Sequence, residues 1–215
     1  MKQFIVVGLG RFGSSVAKTL AENDYNVLAI DTDEERIQMI ANVVTHAVEA
    51  DATDEDALKT LGVRNFDVAV VSIGDNIHAN ILATLILKEL GVPYVVVKAQ
   101  DTLHGKVLSK VGADRVVYPE RDMGVRIAHN LISSNVLDYI EFAPDYSIVE
   151  IIATDKMEGR SLSELQFRSN YGVNVMAIKR GKELNVTPGA NDKILEGDVL
   201  IVMGQNEDLD KLKHF

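Results

Sequence analysis

FIVVGLGRFGSS, residues 4–15, is an apolar run that breaks into glycines and then continues with the pattern of a helix. Gly8, Gly10 and Gly13 have the Gly-x-Gly-x-x-Gly spacing between a predicted strand and a predicted helix. Gly8 permits a tight turn, Gly10 lets backbone N–H groups approach a pyrophosphate, and Gly13 lets the helix pack closely on the strand. The stretch therefore predicts a binding site for the phosphates of a nucleotide.

Six short runs rich in β-branched residues alternate with helical patterns in the first part of the chain. The predicted strands cover residues 4–10, 26–31, 46–51, 67–74, 94–99 and 115–119. The predicted helices between them cover residues 13–22, 34–41, 54–61, 76–90 and 101–111. This alternation predicts an α/β fold, a Rossmann-like doubly wound parallel sheet with helices on both faces. The ligand crevice of such a sheet lies at the carboxyl ends of its strands.

The strand rhythm ends at PERDMG (residues 119–124), and a wide apolar stripe then predicts one long helix. The stripe consists of Val125, Ile127, Leu131, Ile132, Val136, Leu137 and Ile140. It is either ordinary core or a face that a partner chain covers. We interpret residues 119–140 as a crossover and dimerisation helix, which follows a nucleotide-binding domain at residues 1–118.

Residues 141–215 have a different pattern, with four short predicted strands separated by turns. The strands are SIVEIIAT, NVMAIKR, ELNVTP and DVLIVMG. Between the first two, Ser161 and Glu164 have the spacing of a capping box and predict a short helix. This segment is therefore predicted to be a small, mostly antiparallel α+β domain.

The composition excludes several classes of protein. The net charge of −10 disfavours a general attraction to nucleic acid polymers or anionic lipid, so an anionic ligand needs a local positive site. The absence of Cys excludes disulfides and thiolate metal sites. No apolar run approaches the roughly 18 residues that span a bilayer. We expect a cytosolic chain that does not insert into a membrane by itself.

Carboxylates follow two of the predicted strands and are candidates for contacts with a nucleoside. Asp31 ends the second strand, where a carboxylate can accept both ribose hydroxyls and repel a 2′-phosphate; the alternative is a solvated strand end. At the end of the third strand, Asp51, Ala52 and Thr53 can lie against an adenine edge, since Ala52 leaves room for the flat base. Alternatively, Asp51 or Thr53 caps the helix that begins near Asp54.

Arg11 is an unusual residue for this loop, because backbone donors and a helix dipole already satisfy a dinucleotide. The terminal phosphate of ATP would use an extra cation there. The alternative is an exposed, unpaired arginine. The residues therefore indicate an adenine nucleotide and leave ATP, ADP and NAD(H) open.

The chain resembles a known family over essentially its whole length. The resemblance is carried by VVGLGRFGSSVAKTL, AIDTDEE, EADATDEDAL, NFDVAVVSIGDN, VVVKAQ and HGKVLSKVGADRVVYPERDMG, followed by the small β-rich tail. Together these segments look like the cytosolic RCK (KTN) regulatory subunits of bacterial Trk/Ktr potassium uptake systems.

The resemblance implies a gating subunit that binds ATP or ADP and assembles from homodimers into a homo-octameric ring. The ring would lie at the inner face of the cell membrane, under an integral potassium channel subunit of the KtrB or TrkH type. Arg11 matches the arginine that senses the γ-phosphate, and Asp31 matches the ribose ligand. Glu120 matches the glutamate that holds a divalent cation, Mg²⁺ or Ca²⁺, between the nucleotides of paired subunits. Phe12 of the glycine loop and Lys98 of VVVKAQ are further implied nucleotide contacts.

The small tail resembles RCK_C domains, which implies that the dinucleotide cyclic di-AMP binds across a dimer of these domains as an inhibitor. Arg168, Asn174 and Pro188 fall where such contacts are expected. Each of the three is alternatively an ordinary surface or turn residue.

The rival interpretation is an NAD-dependent oxidoreductase or an NADH-sensing protein on the same fold. A dehydrogenase needs a proton donor or acceptor near the nicotinamide, and each histidine here reads as a packing or surface residue. The sequence also has no Gly-x-Ser-x-Gly elbow and no Gly-Lys-Ser/Thr P-loop. A DNA-binding repressor would need a basic recognition helix, and the chain has none. We therefore predict a protein that is not an enzyme.

Overall fold

The computed structural model of the chain describes residues 2–132, 136–143 and 145–212. The side chains of His129, Ile132 and Val136 also lie outside the described part. The chain divides into two compact units, Met1–Pro119 and Glu120–Phe215.

The first unit is built on a six-stranded sheet in the order β3-β2-β1-β4-β5-β6. All of its strand pairs are parallel. The strands are β1 (Gln3–Val7), β2 (Asn26–Asp31), β3 (His46–Glu49), β4 (Val68–Val71), β5 (Tyr94–Lys98) and β6 (Arg115–Val117). The helices between them are α1 (Arg11–Glu22), α2 (Glu34–Ile40), α3 (Glu55–Thr60), α4 (Ile77–Glu89) and α5 (Thr102–Lys110), with a 3₁₀ turn at Val63–Asn65. The predicted doubly wound parallel sheet is confirmed.

The strands of this sheet are buried on both faces because their side chains alternate between two apolar cores. Ile5 and Val7 of β1 belong to the core on one face, and Val6 between them belongs to the core on the other. All three side chains are almost fully buried. Continuous apolar strands of this kind are typical of parallel sheets that helices cover on both sides. The packing therefore holds the carboxyl ends of β1, β2 and β4 in fixed register.

The second unit is built on a five-stranded antiparallel sheet in the order β10-β9-β11-β8-β7. Its strands are β7 (Val136–Ala143), β8 (Tyr146–Ile152), β9 (Asn174–Arg180), β10 (Glu183–Asn185) and β11 (Val199–Gln205). Its helices are α6 (Pro119–Ile132), α7 (Leu162–Leu165), α8 (Phe167–Tyr171) and α9 (Asn206–Leu212). The predicted antiparallel α+β architecture of the tail is confirmed.

The predicted capping box is present at the start of α7. The Ser161 hydroxyl accepts from the backbone N–H of Glu164 (3.3 Å), and Glu164 Oε2 accepts from the backbone N–H of Ser161 (2.7 Å). This backbone hydrogen bond lowers the pKa of Glu164 below its ordinary value. The reciprocal bonds satisfy two donors at the start of the helix.

The predicted helix at residues 119–140 is wrong in its last part. Helix α6 covers Pro119–Ile132, and residues 136–143 form the edge strand β7. Tyr139 pairs with Val149 of β8, and Ile140 pairs with Ile148. The apolar spacing of this segment fits a strand as well as a helix, and the neighbouring β8 offers backbone hydrogen bonds that a continued helix would leave unused.

The apolar side chains of this region that the structure describes are largely exposed within one chain. The exposed fractions are 48% for Val125, 50% for Ile127, 81% for Leu131, 46% for Leu137 and 50% for Ile140. Of the two interpretations of the stripe, ordinary core does not fit these side chains.

Candidate nucleotide-binding site

The glycine loop lies between the end of β1 and the start of α1, at the carboxyl edge of the sheet. Gly8 has φ of +86°, a conformation that a residue with a side chain rarely adopts. A Cβ on Gly8 would lie 3.0 Å from the backbone nitrogen of Ile73, so the turn passes directly over the chain that follows β4. A Cβ on Gly13 would overlap the carbonyl oxygen of Gly8 and the hydroxyl of Ser72. Helix α1 can therefore pack this close to the loop only with glycine at residue 13.

Gly10 differs from Gly8 and Gly13 because the space that its side chain would occupy is open. It precedes α1 with φ of −62°, and apart from Gly10 and the two adjoining residues no atom lies within 4 Å of the position that its Cβ would take. Helix α1 has no side-chain cap and no acidic residue in its first turn. The first N–H groups of such a helix lack partners within the helix, and the helix dipole adds positive potential there. The loop is therefore arranged to receive an anion such as a phosphate.

Arg11 and Phe12 form the first turn of α1. The Arg11 side chain is exposed and forms no hydrogen bond or ion pair with the residues that the structure describes. Phe12 is half-buried against the core under α1. The guanidinium is therefore available to a ligand at the loop, whereas Phe12 anchors the helix.

Asp31, at the end of β2, is a buried carboxylate with fixed partners. Its side chain is only 6% exposed. Oδ2 accepts from the backbone N–H of Leu9 in the glycine loop (2.5 Å), and Oδ1 accepts from the backbone N–H of Asp33 (2.9 Å). Arg36 Nη1 lies 3.5 Å from Oδ2. The alternative of a solvated strand end is wrong, because Asp31 ties the end of β2 to the glycine loop.

The Asp51–Thr53 corner follows β3. Asp51 Oδ1 accepts from the backbone N–H of Thr53 (2.8 Å) and from its hydroxyl (2.7 Å). Ala52 is 4% exposed and packs in the core. Asp54 caps α3, since it accepts from the backbone N–H groups of Asp56 and Ala57. The alternative in which Asp51 or Thr53 caps this helix is therefore wrong, and the corner is a compact turn with Asp51 and Thr53 on its exposed side.

Side chains that the sequence did not single out connect the ends of β4 and β5. Asn80, fully buried on α4, donates through Nδ2 to the carbonyls of Ile73 (2.7 Å) and Lys98 (3.2 Å). Gln100 donates to the carbonyl of Gly74. Lys98, a predicted nucleotide contact, reaches the same region, since a Cβ on Gly74 would lie 3.8 Å from its Nζ. In the sequence, Asn80 could have been recognised as a polar residue within the otherwise apolar pattern of α4.

His104 in α5 forms a hydrogen bond with the backbone of Gln100. The imidazole is 4% exposed, and its Nδ1 accepts from the backbone N–H of Gln100 (3.3 Å). Its Nε2 is buried and has no hydrogen-bond partner among the described residues. Burial lowers the pKa of His104, and the nearby Asp101 carboxylate opposes this shift. The imidazole is therefore neutral in the folded chain at pH 7, and it acts as an acceptor toward the end of β5.

The other predicted site residues belong to the second unit. Glu120 is exposed in the first turn of α6. Arg168 is exposed on α8, Asn174 is exposed at the start of β9, and Pro188 is half-buried in the loop after β10. Within the described residues, no three His, Asp or Glu side chains converge to hold a metal ion. A cation at Glu120 would therefore need further ligands that do not come from a cluster of described His, Asp or Glu side chains in one chain.

The fold and the loop together define a class of protein. The strand order, the Gly-x-Gly-x-x-Gly turn before an uncapped helix, and a carboxylate at the end of β2 are the features of Rossmann-type nucleotide-binding domains. In the part of the chain that the structure describes, no helix is long and apolar enough to cross a membrane.

Comparison with known proteins identifies the family. The TrkA-N domain model matches residues 4–119 and the TrkA-C domain model matches residues 146–215. The chain belongs to the TrkA-N/TrkA-C family of potassium uptake proteins. The resemblance drawn from the sequence motifs is thereby confirmed.

Two relatives match over nearly the full length of both chains. The Ktr system potassium uptake protein C of Bacillus subtilis is 52% identical over 212 residues, which are 99% of this chain and 96% of the relative. The Ktr system potassium uptake protein A of the same organism is 47% identical, with the same coverage of both chains. Among solved structures, the RCK domain of GsuK has a similar fold, with a TM-score of 0.71 at 17% identity. That match covers 99% of this chain, which spans about half the length of the GsuK chain.

Proposed function

We propose that this chain is the regulatory, gating subunit of a Ktr/Trk-type potassium uptake channel and that it binds ATP or ADP at the glycine loop. The main observation behind the proposal is the geometry of the loop. Gly13 is packed against Gly8 and Ser72, the Cβ position of Gly10 lies in open space, and the helix that follows has no side-chain cap. The full-length similarity to Ktr potassium uptake proteins supports the transport role. The proposal includes no catalytic residue.

In the proposed complex, the phosphates occupy the space beside Gly10 and accept from the first N–H groups of α1. The ribose hydroxyls reach the Asp31 carboxylate, and Lys98 and the Asp51–Thr53 corner border the crevice. NAD(H) is the second candidate for the same site, because Asp31 suits the adenosine ribose of either ligand.

A switch must bind its two ligands differently in two states, since equal binding shifts no equilibrium. ATP and ADP differ only in the terminal phosphate, so the discriminating groups must reach it. Arg11 is exposed at the loop and has no partner among the described residues, which supports its assignment as the γ-phosphate sensor. Glu120 of a paired subunit would hold a divalent cation at the same phosphate.

The proposed assembly is a homodimer that forms an octameric ring on the cytoplasmic side of an integral membrane channel subunit. The exposed apolar side chains of α6 and β7 support a partner chain on this face. For the second unit we propose cyclic di-AMP as an inhibitor, with one molecule across a pair of units. Arg168 and Asn174 lie on α8 and β9, which are neighbouring elements, and both are exposed.

The test is calorimetry of ATP, ADP, NADH and cyclic di-AMP on the full chain, followed by potassium flux with the ring reconstituted on its channel subunit. We expect Arg11→Ala to keep ADP binding nearly intact, to lose the preference for ATP and to abolish ATP-stimulated flux. Lys18→Ala is the matched control, because Lys18 is also exposed on α1 but lies two turns further along the helix. If Arg11→Ala binds ATP and activates like the parent, the loop holds a structural or redox nucleotide, and the switch assignment fails.

A further inference from the structure

The carboxylate of Asp31 already has three donors around it. Leu9 N–H and Arg36 Nη1 approach Oδ2, and Asp33 N–H approaches Oδ1. A ribose that is held by this carboxylate needs acceptor positions for its hydroxyls, and a carboxylate offers about four. At least one of the present donors must therefore give way when a nucleoside with two free hydroxyls binds.

Of the three donors, only Arg36 is free to move. The N–H groups of Leu9 and Asp33 belong to the backbone of the glycine loop and of the turn after β2, so they are held by the fold. Arg36 is a long side chain that is 40% exposed. Its guanidinium has a second ion pair with Asp33, in which Nε lies 3.2 Å from Oδ2. Arg36 can therefore leave Asp31 and keep Asp33 as its partner.

We propose that Arg36 controls which ribose this site accepts. Its guanidinium is a cation suited to a 2′-phosphate, but its ion pairs with Asp31 and Asp33 keep it occupied. The inference rests on the proposed nucleotide site. Arginine near the end of the second strand is the group that accommodates a 2′-phosphate in Rossmann-type domains, whereas a carboxylate there selects the free hydroxyl. This chain has both groups within ion-pair distance of each other.

The selectivity then follows from charge. With Asp31 present, the guanidinium is shared by two carboxylates, and a 2′-phosphate would also lie beside a buried negative charge. Adenosine ribose with free hydroxyls displaces Arg36 from Asp31 at little cost, because Arg36 stays paired with Asp33. Without the Asp31 charge, Nη1 of Arg36 is available to the phosphate, while Nε keeps its ion pair with Asp33.

The experiment is calorimetry on the full chain at 25 °C and constant salt, with ADP and adenosine 2′,5′-bisphosphate as probes and AMP as the reference. The parent should bind ADP and, relative to AMP, which carries the same single 5′-phosphate, should discriminate against the 2′,5′-bisphosphate by more than about tenfold. Asp31→Ser should reverse this preference, whereas the double variant Asp31→Ser/Arg36→Ala should bind neither probe well. Asp31→Ser/Arg64→Ala is the matched control, because Arg64 is an exposed arginine of the same unit outside the site.

The inference is overturned if Asp31→Ser increases the affinity for the 2′,5′-bisphosphate equally with and without Arg36. It is also overturned if Asp31→Ser is folded, as measured by circular dichroism, and its affinity for the 2′,5′-bisphosphate does not increase. A second variant, Arg36→Ala, tests the inference if Asp31→Ser does not fold. This variant keeps Asp31 and the hydrogen bonds from its backbone partners. Arg36→Ala should bind ADP about twofold or more tighter than the parent, because the competitor for Asp31 is gone. An unchanged or lower ADP affinity in that variant contradicts the competition. A parent that binds no ADP would instead refute the proposed function.

Discussion

Gly13 is the residue at which a single methyl group tests the glycine loop most directly. A Cβ at this position would overlap the carbonyl oxygen of Gly8 and the hydroxyl of Ser72, and it would lie 3.1 Å from the Gly8 carbonyl carbon. The hydroxyl of Ser72 donates to the same carbonyl and thereby ties the end of β4 to the end of β1. In Gly13→Ala, the N-terminus of α1 must therefore move away from the sheet, and this hydrogen bond is strained or lost.

The expected cost is the balance of three effects. Forcing a methyl group into packed backbone costs about 1–3 kcal/mol. A weakened buried hydrogen bond adds about 1 kcal/mol. The higher helix propensity of alanine offsets about 1 kcal/mol of this destabilisation. The net loss is roughly 2 kcal/mol, which corresponds to a decrease in Tm of about 5–10 °C for a unit of this size.

Thermal and urea unfolding followed by circular dichroism measure this loss, and calorimetry with ADP measures its effect on the loop. Gly10→Ala is the matched control, since apart from Gly10 and the two adjoining residues no atom lies within 4 Å of its Cβ position and its φ of −62° suits alanine. We expect Gly10→Ala to unfold like the parent and to bind ADP more weakly, because its methyl group occupies the open space beside the phosphates. A Gly13→Ala variant as stable as Gly10→Ala, with the ADP affinity of the parent, would refute the packing argument.

Three further outcomes are expected. Asp198 is fully buried and its pKa is lowered by hydrogen bonds from Arg180, so its contribution to stability is present above about pH 4 and is lost as the pH falls. Asp198→Asn should lower the free energy of unfolding by about 2 kcal/mol at pH 7. This is less than for a fully buried ion pair, because Arg180 is half-exposed. The variant should also show a weaker pH dependence of the urea midpoint below about pH 5. Burial lowers the pKa of His104, so the unfolded chain binds more protons, and stability should fall as the pH drops below about 6.5. The urea midpoint of His104→Gln should lack this decline, and an unchanged decline would assign it to another group. In sedimentation, Leu131→Glu should dissociate the assembly, whereas Met39→Glu, a similarly exposed residue on α2, should not.

Features with a short sequence range were predictable from the residues. The alternation of β-branched runs and helices predicted the parallel sheet, since each element is encoded by its own periodicity. The capping box at Ser161 and Glu164 was predictable because its two bonds join residues three positions apart. The assignments of Arg11, Glu120, Lys98 and the cyclic di-AMP contacts stay predictions, because each depends on a ligand or a second subunit.

Residues 136–140 were predicted incorrectly as helix because their apolar spacing fits both a helix and a strand. The choice depends on β8, which supplies the backbone partners of β7. The same limit explains why Asn80 and Gln100 were not recognised, since their hydrogen bonds join the ends of β4 and β5, which only the folded sheet brings together.

The sequence by itself determined that the first unit is a parallel α/β sheet, that a glycine turn opens its first helix and that a carboxylate ends its second strand. Tertiary structure alone decided how these parts are joined. Gly13 faces Gly8 and Ser72, which is 59 positions away, because β4 pairs beside β1. Asp31 reaches Leu9, which precedes it by 22 positions, because β2 pairs on the other side of β1. Local patterns encode elements, whereas contacts at such separations form only when strand pairing and core packing bring distant segments into register.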